Sequence, residues 1–347
     1  MIYRMGQLLK SIPLIVLIFT LICYSSALIP PEKFWPAGLL IYGILPMVII
    51  NLILFILLAV LRKLSIVWPL IALLTGIPFI NITFSYDFNP EINQNKKVIE
   101  VMSLNARNLV SGPEIIDWIR EDTSEIKCIQ EYYSNSRNPV RNVTEKMAEM
   151  GYETYLLSTT FSNGYEYSGL ATFSRYPIIG RGALLFNENS GNNCIYTDLK
   201  IDEDTLRIYN VHLSSMRINF STYRDPDDYD SKMKGLASKL KNGAIRRSDE
   251  IDKLLKHTSE CPYPLIICGD YNDIPYSYNY FKLRRHFTNA FEEAGHGFGF
   301  SFRNRFIFFL RIDHHFIHGK IIPVLYRVDH NMKHSDHFPT RGFYQLP

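Results

Sequence analysis

The stretch LIICGDYNDIP, residues 265–275, decides the fold, because a short apolar run ends in two acids and an amide. Its apolar part, residues 265–268, is too short for a helix and lies between a proline and a glycine, which favours a fully buried strand. Asp270 and Asn272 then share one side of the extended chain, because side chains alternate with a period of two. The stretch predicts a strand that brings a carboxylate and an amide to a surface. Taken alone, it fits an ordinary strand-to-turn junction equally well.

Short apolar runs broken by polar turns continue through the rest of this region. They predict further strands at Val98 to Leu104, Ile126 to Ile129, Gly169 to Ser174, Cys194 to Ile201, Leu206 to Leu213, Arg311 to Ile317 and Thr340 to Leu346. Helices are predicted at residues 114–120 and 232–257. Mixed spacing of this kind indicates one α/β domain over residues 98–347, with two packed sheets and helices outside them.

Residues 1–85 have a different composition. They carry five basic residues and one acid, whereas the rest of the 347-residue chain has a net charge of −1. Three uncharged stretches, residues 12–28, 38–61 and 64–80, are each long enough to cross a hydrocarbon layer of roughly 30 Å. We expect three transmembrane helices here, followed by a polar linker at 86–97. The first stretch is also compatible with a cleaved signal, since Ser25 and Ala27 near its end are small residues of the kind found at peptidase cleavage sites.

Basic residues in the short loops predict the orientation of these spans. Arg4 and Lys10 precede the first span, and Arg62 and Lys63 separate the second from the third. Such ends stay in the cytoplasm. The expected location is therefore the cell membrane, with several spans and with the domain after residue 86 on the extracytoplasmic side. The five cysteines have no spacing that assigns a disulfide.

Several predicted strands end in polar groups of similar chemistry. The groups are Asn105, Gln130-Glu131, Asn210 and His212, Asp270 and Asn272, Asp313, and Asp336-His337. Carboxylates and amides suit Mg²⁺ or Mn²⁺, whereas a Zn²⁺ site more often has clustered cysteine and histidine. Each group alone is as well explained by a surface acid, a buried histidine or a turn. Only their combination indicates a site.

The ordered combination resembles the endonuclease/exonuclease/phosphatase superfamily over about residues 98–346. The motifs that carry the resemblance are SLNAR at 103–107, CIQE at 128–131, GLATFSRYPI at 169–178, NVHL at 210–213, GDYND at 269–273, RID at 311–313 and SDHFP at 335–339. The resemblance implies a DNase I-like, four-layer α/β sandwich, in which helices flank two packed mixed sheets, preceded here by the transmembrane region. It also implies a metal-dependent phosphoric ester hydrolase that uses Mg²⁺, with Mn²⁺ as an alternative.

The family's roles transfer to the matched positions. Glu131 matches the principal metal carboxylate, with Asn105 helping to place the metal and Asp336 as a further acid on the metal side. Asp270 and Asn272 match the residues that orient or deprotonate the attacking water.

The histidines complete the implied catalytic set. His337 matches the histidine that meets the scissile phosphate, and Asp313 matches its orienting carboxylate. His212 matches a second histidine of the DNase I and sphingomyelinase branches. Catalytic roles are thus expected for His212, Asp270, Asn272, Asp313 and His337, and substrate contacts for Arg107, Asn272 and His212.

Two positions depart from the family pattern. Arg107 stands where nucleic-acid repair members commonly have an acid, which weakens an apurinic endonuclease function and leaves a cation near the phosphate. His314-His315 follows Asp313 where the family usually has an aromatic residue, and we expect these histidines to be structural.

Three functions remain open at the level of sequence. A membrane-anchored phosphoesterase would act on a phosphodiester or phosphomonoester, and tethering favours a lipid head group. A nuclease is disfavoured because phosphate binding calls for a strongly basic surface, whereas this domain has a net charge of −1. The third alternative is an inactive, membrane-bound binding module. The retained carboxylates and histidines argue against it.

Overall fold

The computed structural model describes residues 2–86, 96–158, 165–187, 191–215, 229–303 and 310–347, with side chains from residue 11 in the first helix and from residue 234 in the long eighth helix. The chain divides into two compact units. Among the described residues, the first contains 2–84, 229–248 and 275–282, and the second contains the remaining ones. All five cysteines are free thiols.

The first unit is helical and apolar. It contains α1 (Ile2–Ser26), α2 (Ala37–Leu40), α3 (Ile44–Val60), α4 (Val67–Thr75), α5 (Ile77–Thr83) and parts of α8 (Tyr229–Ser259) and α9 (Tyr278–Arg284). One helical stretch of the described residues, Ala37–Val60, is long and apolar enough to cross a membrane by length and composition alone. The pair Leu64–Thr75 and Ile77–Thr83, bent by 54°, would give a second if it forms one span, and Ser11–Ser26 is apolar but shorter. The three expected spans coincide with these helices, and their crossing of a membrane stays a prediction.

Polar side chains join the helices of this unit. The Nδ2 of Asn51 in α3 donates to the Thr20 hydroxyl of α1 at 2.8 Å, and the Tyr24 hydroxyl donates to the Ala72 carbonyl of α4 at 3.2 Å. Hydrogen bonds of this kind hold apolar helices in register where hydrophobic contact alone does not specify it.

The segment 275–282, which directly follows the Asp270 to Ile274 stretch, belongs to the same apolar unit. The hydroxyls of Tyr276 and Thr83 are 2.6 Å apart, and the ring of Phe79 packs edge-on against both Tyr276 and Phe281. Residues 275–282 therefore pack among the N-terminal helices, and the predicted domain bounds stay a prediction.

The second unit contains two six-stranded sheets. The first has the order β11-β12-β1-β2-β4-β3 and the second β5-β6-β7-β8-β10-β9. Their bounds are β1 Val98–Asn105, β2 Ile126–Asn135, β3 Glu153–Ser158, β4 Glu166–Ser174, β5 Ile178–Leu185, β6 Asn193–Ile201, β7 Asp204–His212, β8 Leu265–Asp270, β9 Thr288–Asn289, β10 Asp313–His318, β11 Ile322–Val328 and β12 Thr340–Gln345. Both sheets are mixed, because β1 pairs in parallel with β2, and β7 with β8, whereas the other pairs are antiparallel.

This pairing gathers strand ends at one edge. The parallel strands β1, β2, β7 and β8 end there, and the antiparallel strands β10 and β12 begin there. Asp313, the first residue of β10, is accordingly paired with Asp270, the last residue of β8, and His212 of β7 is paired with Asp270 from the other side.

The layer between the sheets is apolar at its base and polar towards that edge. The apolar part is built from Ile99, Val101, Ile126, Cys128, Leu206, Ile208, Ile266 and Cys268, which alternate along four central strands. Nearer the edge, the inward-facing positions of these strands are polar. The buried amide of Gln130 donates to the Ser103 hydroxyl at 3.1 Å and to the Asn210 side-chain oxygen at 2.7 Å. Because these buried polar groups bond one another, the layer can carry polar side chains close to the edge.

Helices cover the outer face of the first sheet. The helix α6 (Pro113–Glu121) buries Ile115, Ile116 and Ile119 against Met102 and Leu104 of β1, and α7 (Val143–Glu149) packs on the same cluster. The remaining helix is α10 (Ala290–Ala294), between β9 and β10 in sequence. The predicted α/β architecture of two packed mixed sheets with flanking helices is confirmed.

All eight predicted strands and both predicted helices are present, and four strands were not predicted. Those are β3, β5, β9 and β11. The sequence of β5, IIGRGALL, contains two glycines, which weaken a strand pattern. The strand β11 contains Pro323, which is tolerated because β11 lies at the edge of its sheet and its register shifts at that residue.

Candidate active site

The site begins with two carboxylates that share one amide. The Nδ2 of Asn105, at the end of β1, lies 3.2 Å from Oε1 of Glu131 and 3.0 Å from Oδ2 of Asp270. The amide thus occupies a position where a positive charge would be favourable, since two acids converge on it. Its oxygen accepts the backbone N–H of Arg107 at 3.0 Å.

A bulge in β2 directs Glu131 into the site. Ile129 pairs with Ala171 and Tyr132 with Gly169, so that two residues of β2 lie opposite one residue of β4. Glu131 has a left-handed backbone, with φ of 46°. A bulge of this type rotates the side chain away from the ordinary alternation. Strict alternation would place Glu131 on the face opposite Gln130.

His212 faces both carboxylates from β7. Its Nε2 lies 3.8 Å from Oε1 of Glu131 and 3.6 Å from Oδ2 of Asp270. The ring is buried, and its Nε2 has no hydrogen-bond partner among the described residues. A buried polar atom without a partner is costly, and it marks a place where a ligand would complete the bonding.

Asn272 is fixed beside Asp270 by a tight turn. Its backbone N–H donates to Oδ1 of Asp270 at 2.8 Å, and its side-chain amide donates to the Leu213 carbonyl at 3.0 Å. Gly269 allows β8 to lie close to β7 just before this turn, because a Cβ on residue 269 would lie 1.9 Å from the Val211 carbonyl oxygen. The turn thus holds the acid and the amide together.

His337 and Asp313 form a buried pair next to Asp270. The Nδ1 of His337 lies 2.9 Å from Oδ2 of Asp313, and its Nε2 lies 3.7 Å from Oδ2 of Asp270. Burial lowers the pKa of His337, but the carboxylates of Asp313 and Asp270 outweigh it and raise the pKa to about 10. Burial also raises the pKa of Asp313, against the effect of His337. The pair therefore retains a proton at neutral pH, with the Nε2 edge of His337 towards Asp270.

Arg107 and Asp336 lie on the outer side of Asn105. The Nε of Arg107 is 3.7 Å from Oδ2 of Asp336, and both side chains are partly exposed. The hydroxyl of Ser335 donates to the Asn105 carbonyl at 2.7 Å, which joins the loop of Asp336 to the end of β1. The side chain of Asp336 contacts Arg107 and the Ser335 hydroxyl, and its role as a metal ligand stays a prediction.

All predicted site residues lie in the second unit, and the contacts above link them into one cluster. The structure adds residues that the sequence pattern did not single out. Asn108 lies 3.4 Å from the second oxygen of Glu131 and accepts a hydrogen bond from Ser168 at 2.9 Å. The ring of Phe302 packs edge-on against His337, with the centroids 5.1 Å apart. Ser301 belongs to no motif in the sequence. Its hydroxyl nevertheless accepts a hydrogen bond from the backbone N–H of Asp313 at 3.1 Å.

The two extra histidines after Asp313 have structural surroundings. Both ring nitrogens of His315 bond hydroxyls, those of Tyr344 at 2.7 Å and Thr340 at 3.0 Å. His314 contacts the Asp273 carbonyl at 3.1 Å. Burial lowers the pKa of each histidine to about 3, so both rings are neutral at physiological pH. These contacts agree with the expected structural role.

The donor set fits a divalent cation. Glu131 and Asp270 supply carboxylate oxygens on either side of the Asn105 amide, and Mg²⁺ and Mn²⁺ prefer oxygen ligands. By distance alone, Asp270, Asp313 and His337 also form a group whose ligand atoms lie within 4.8 Å of one another. Asp313 and His337 already hydrogen-bond each other, however, so we regard the Glu131 and Asp270 pair as the better metal site.

Comparison with known protein families gives matches over both parts of the chain. The sequence profile of the Endonuclease/Exonuclease/phosphatase family matches residues 102–337, and that of a domain of unknown function matches residues 6–83. No curated protein matches the chain.

Solved structures share the fold at low sequence identity. A Bacteroides vulgatus endonuclease/exonuclease/phosphatase has a TM-score of 0.55 at 13% identity, covering 73% of this chain and 100% of that one. The protein of the same description from Beutenbergia cavernae has a TM-score of 0.53 at 16% identity, covering 72% of each chain. D. rerio TDP2 complexed with a single-strand DNA product has a TM-score of 0.52 at 14% identity, covering 72% of this chain and 100% of that one.

The profile match spans more than half of the chain and includes every residue of the cluster. The chain therefore belongs to the endonuclease/exonuclease/phosphatase family, and it is a metal-dependent phosphoric ester hydrolase.

Proposed function

We propose that the protein is a membrane-anchored, Mg²⁺-dependent phosphoesterase whose catalytic domain works outside the cytoplasm. The observation that carries the proposal is the convergence of Glu131 and Asp270 on one amide, with the hydrogen-bonded pair of His337 and Asp313 beside them. This arrangement offers a place for a cation and a hydrogen-bond donor for a phosphate at the same edge of the sheets.

Each side chain of the site has its own role in the proposed hydrolysis. Asp270 uses its two oxygens separately: Oδ2, which faces Asn105, would contact the ion, and Oδ1, beside Asn272, accepts the proton of the attacking water. Asn272 orients that water and contacts the phosphate. As the water oxygen bonds to phosphorus, the bond from phosphorus to the leaving oxygen breaks on the opposite side. His337, held protonated by Asp313, donates a hydrogen bond to a phosphate oxygen and stabilises the charge that develops there.

His212 lies on the other side of the acids and is placed to assist the leaving oxygen. Glu131 and Asp270 would hold the divalent ion, with Asn105 positioning both acids. When bound, the ion acts as a Lewis acid that neutralises charge on the phosphate oxygens.

The proposed substrate is a phosphate ester at the membrane, such as a lipid head group. Along the chain, only Asp273 and Ile274 separate Asn272 from the segment that packs among the apolar helices. Tethering of the domain to a membrane would raise the local concentration of a membrane-resident substrate. The net charge of −1 after residue 85 gives little attraction for a nucleic acid.

A substrate panel tests the proposal. The full-length protein in detergent is incubated with Mg²⁺ and with a glycerophospholipid, sphingomyelin, a phosphoinositide, plasmid DNA or bis(4-nitrophenyl) phosphate. We expect hydrolysis of at least one lipid ester, and its loss in both Glu131→Ala and His337→Ala. Unchanged turnover in both variants would contradict the assigned site.

The membrane part needs a separate experiment. A reporter enzyme that is active only outside the cytoplasm, fused after residue 347, should be active. Activity of the matching reporter that works only in the cytoplasm would overturn the orientation.

A nuclease is the second candidate, because one structural neighbour is described in complex with a single-strand DNA product. It predicts nicking of plasmid DNA at a rate that falls steeply as salt rises, since phosphate contacts release counterions. Absence of nicking with Mg²⁺, Mn²⁺ and Ca²⁺ would remove this candidate.

A further inference from the structure

A cationic side chain stands beside the acids of the site without an evident role in stability. The Nε of Arg107 lies 3.7 Å from Oδ2 of Asp336, with the two side chains 57% and 35% exposed. Ion pairs that are this open to solvent contribute little to folding. The position of Arg107 is therefore better explained by the chemistry of the site.

The backbone that carries Arg107 is held in an unfavourable conformation. Arg107, Asn108 and Leu109 have φ of 48°, 52° and 54°, in the left-handed region that residues other than glycine rarely adopt. The backbone N–H of Arg107 donates to Asn105, the residue whose amide contacts both central acids. Strain of this kind persists where the surroundings enforce it, and it is commonest at functional sites.

Hydrogen bonds between two loops hold Arg107 opposite Asp336. The hydroxyl of Ser335 donates to the Asn105 carbonyl at 2.7 Å, and the hydroxyl of Ser111 donates to the His334 carbonyl. Asn105 and Ser111 lie on either side of Arg107 in the first loop, and His334 and Ser335 directly precede Asp336 in the second. The pairing thus does not depend on the weak attraction between the two side chains.

The remaining acids of the site match the charge of one divalent ion. Asp313 is engaged by His337, and Asp336 faces Arg107. Glu131 and Asp270 are left to share the neutral Asn105 amide. Two carboxylates balance one divalent cation, and a second ion beside Asp336 would meet the guanidinium at close range.

We propose that Arg107 replaces a second metal ion, so that the site takes one divalent cation per chain and Arg107 binds an anionic oxygen of the substrate phosphate. The inference rests on the proposed function. It differs from the sequence-based expectation that Asp336 is a metal ligand. The planar guanidinium suits the task, because it donates two parallel hydrogen bonds to a phosphate.

A Mn²⁺ titration of the full-length protein in detergent, read by electron paramagnetic resonance, tests the stoichiometry. We expect one bound ion in the wild type. Arg107→Asp should bind two ions, because it places a second carboxylate next to Asp336. Arg120→Asp is the matched control, since Arg120 is an exposed residue of α6 paired with Asp117, and it should bind one ion.

A second titration, with inorganic phosphate in the presence of Mn²⁺, tests phosphate binding. Arg107→Ala should weaken binding by about tenfold, and Arg107→Lys should weaken it less. Two ions in the wild type, one ion in Arg107→Asp, or unchanged phosphate affinity in Arg107→Ala would each overturn the inference. A wild type that binds no Mn²⁺ would instead contradict the proposed function itself.

Discussion

The Nδ1 atom of His337 lies 2.9 Å from Oδ2 of Asp313, in a pair that is almost completely buried. The residues come from different segments, the start of β10 and the loop before β12. Their contact fixes the orientation of the imidazole and keeps it protonated, and the proposed mechanism requires both.

Replacing Asp313 should shift the pH dependence of catalysis. In the wild type, the neighbouring acids raise the pKa of His337 to about 10, so the active cationic ring persists until the pH passes that value. Asp313→Asn removes one of these acids, and the alkaline loss of kcat/KM should move down by about 1–3 pH units. The control is Asp117→Asn, an exposed acid of α6. An unchanged alkaline limb in Asp313→Asn would contradict the proposed role of the pair.

Neutralising Glu131 should weaken both metal binding and turnover. Glu131→Gln keeps the size of the side chain but removes one of the two charges that converge on Asn105. We expect Mn²⁺ affinity to fall at least about tenfold and kcat/KM to fall on the order of 100-fold. Glu203→Gln, at a fully exposed position, serves as the control and should behave as wild type in both assays. Normal Mn²⁺ affinity in Glu131→Gln would exclude Glu131 as a ligand.

The buried histidines should make the fold sensitive to acid. Burial lowers the pKa of His314 and His315 from 6.5 to about 3, so the unfolded state binds their protons first as the pH falls. Their stabilising contribution is complete above pH 6.5 and is lost progressively towards pH 3. Between pH 7.5 and 5 each should contribute a loss of about 2 kcal/mol in the free energy of unfolding.

His315→Gln isolates one of these contributions. Urea unfolding of wild type and variant at both pH values, followed by near-ultraviolet circular dichroism, should show the pH-dependent loss reduced by about 2 kcal/mol in the variant. Identical pH dependence in the two proteins would show that His315 is not held neutral in the fold.

A methyl group at residue 269 should disrupt the strand that carries Asp270. Gly269 has φ of 149°, and an added Cβ would lie 1.9 Å from the Val211 carbonyl oxygen. We expect Gly269→Ala to destabilise the protein by about 3 kcal/mol or more. Gly151→Ala is the control, because residue 151 has φ of 81° but no atom within 4 Å of the added Cβ. It should cost only about 1 kcal/mol, measured by thermal unfolding. Equal losses in the two variants would mean that backbone strain, and not the clash, decides the cost.

The strands could be predicted where alternation or a continuous apolar run is strong. The runs that became β1, β7 and β8 each contain four buried apolar residues, continuous in β8 and interrupted by polar residues in β1 and β7, and this signal needs no tertiary information. The edge strand β11 was not predicted, because Pro323 argues against a strand unless the chain is known to lie at a sheet edge. The short β9 has only two residues and no pattern of its own.

Candidate site residues could be predicted as members of motifs, but their contacts could not. Nothing local indicates that Arg107 faces Asp336, or that Asn108 and Ser168 lie beside Glu131. These contacts depend on loops that meet only after the sheets have paired.

The sequence by itself determined the α/β class, the ends of the central strands and the polar residues placed there, because hydrophobic periodicity and turn residues act over a few neighbouring positions. Only the tertiary structure decided that the strand ends share one edge. The parallel pairing of β7 with β8 and the antiparallel pairing of β8 with β10 bring His212, Asp270 and Asp313 into adjacent positions. The bulge at Glu131 likewise depends on its partner strand, since the two-residue period points that side chain the other way. The residues of LIICGDYNDIP thus identify a strand, and long-range pairing makes its acidic end part of a site.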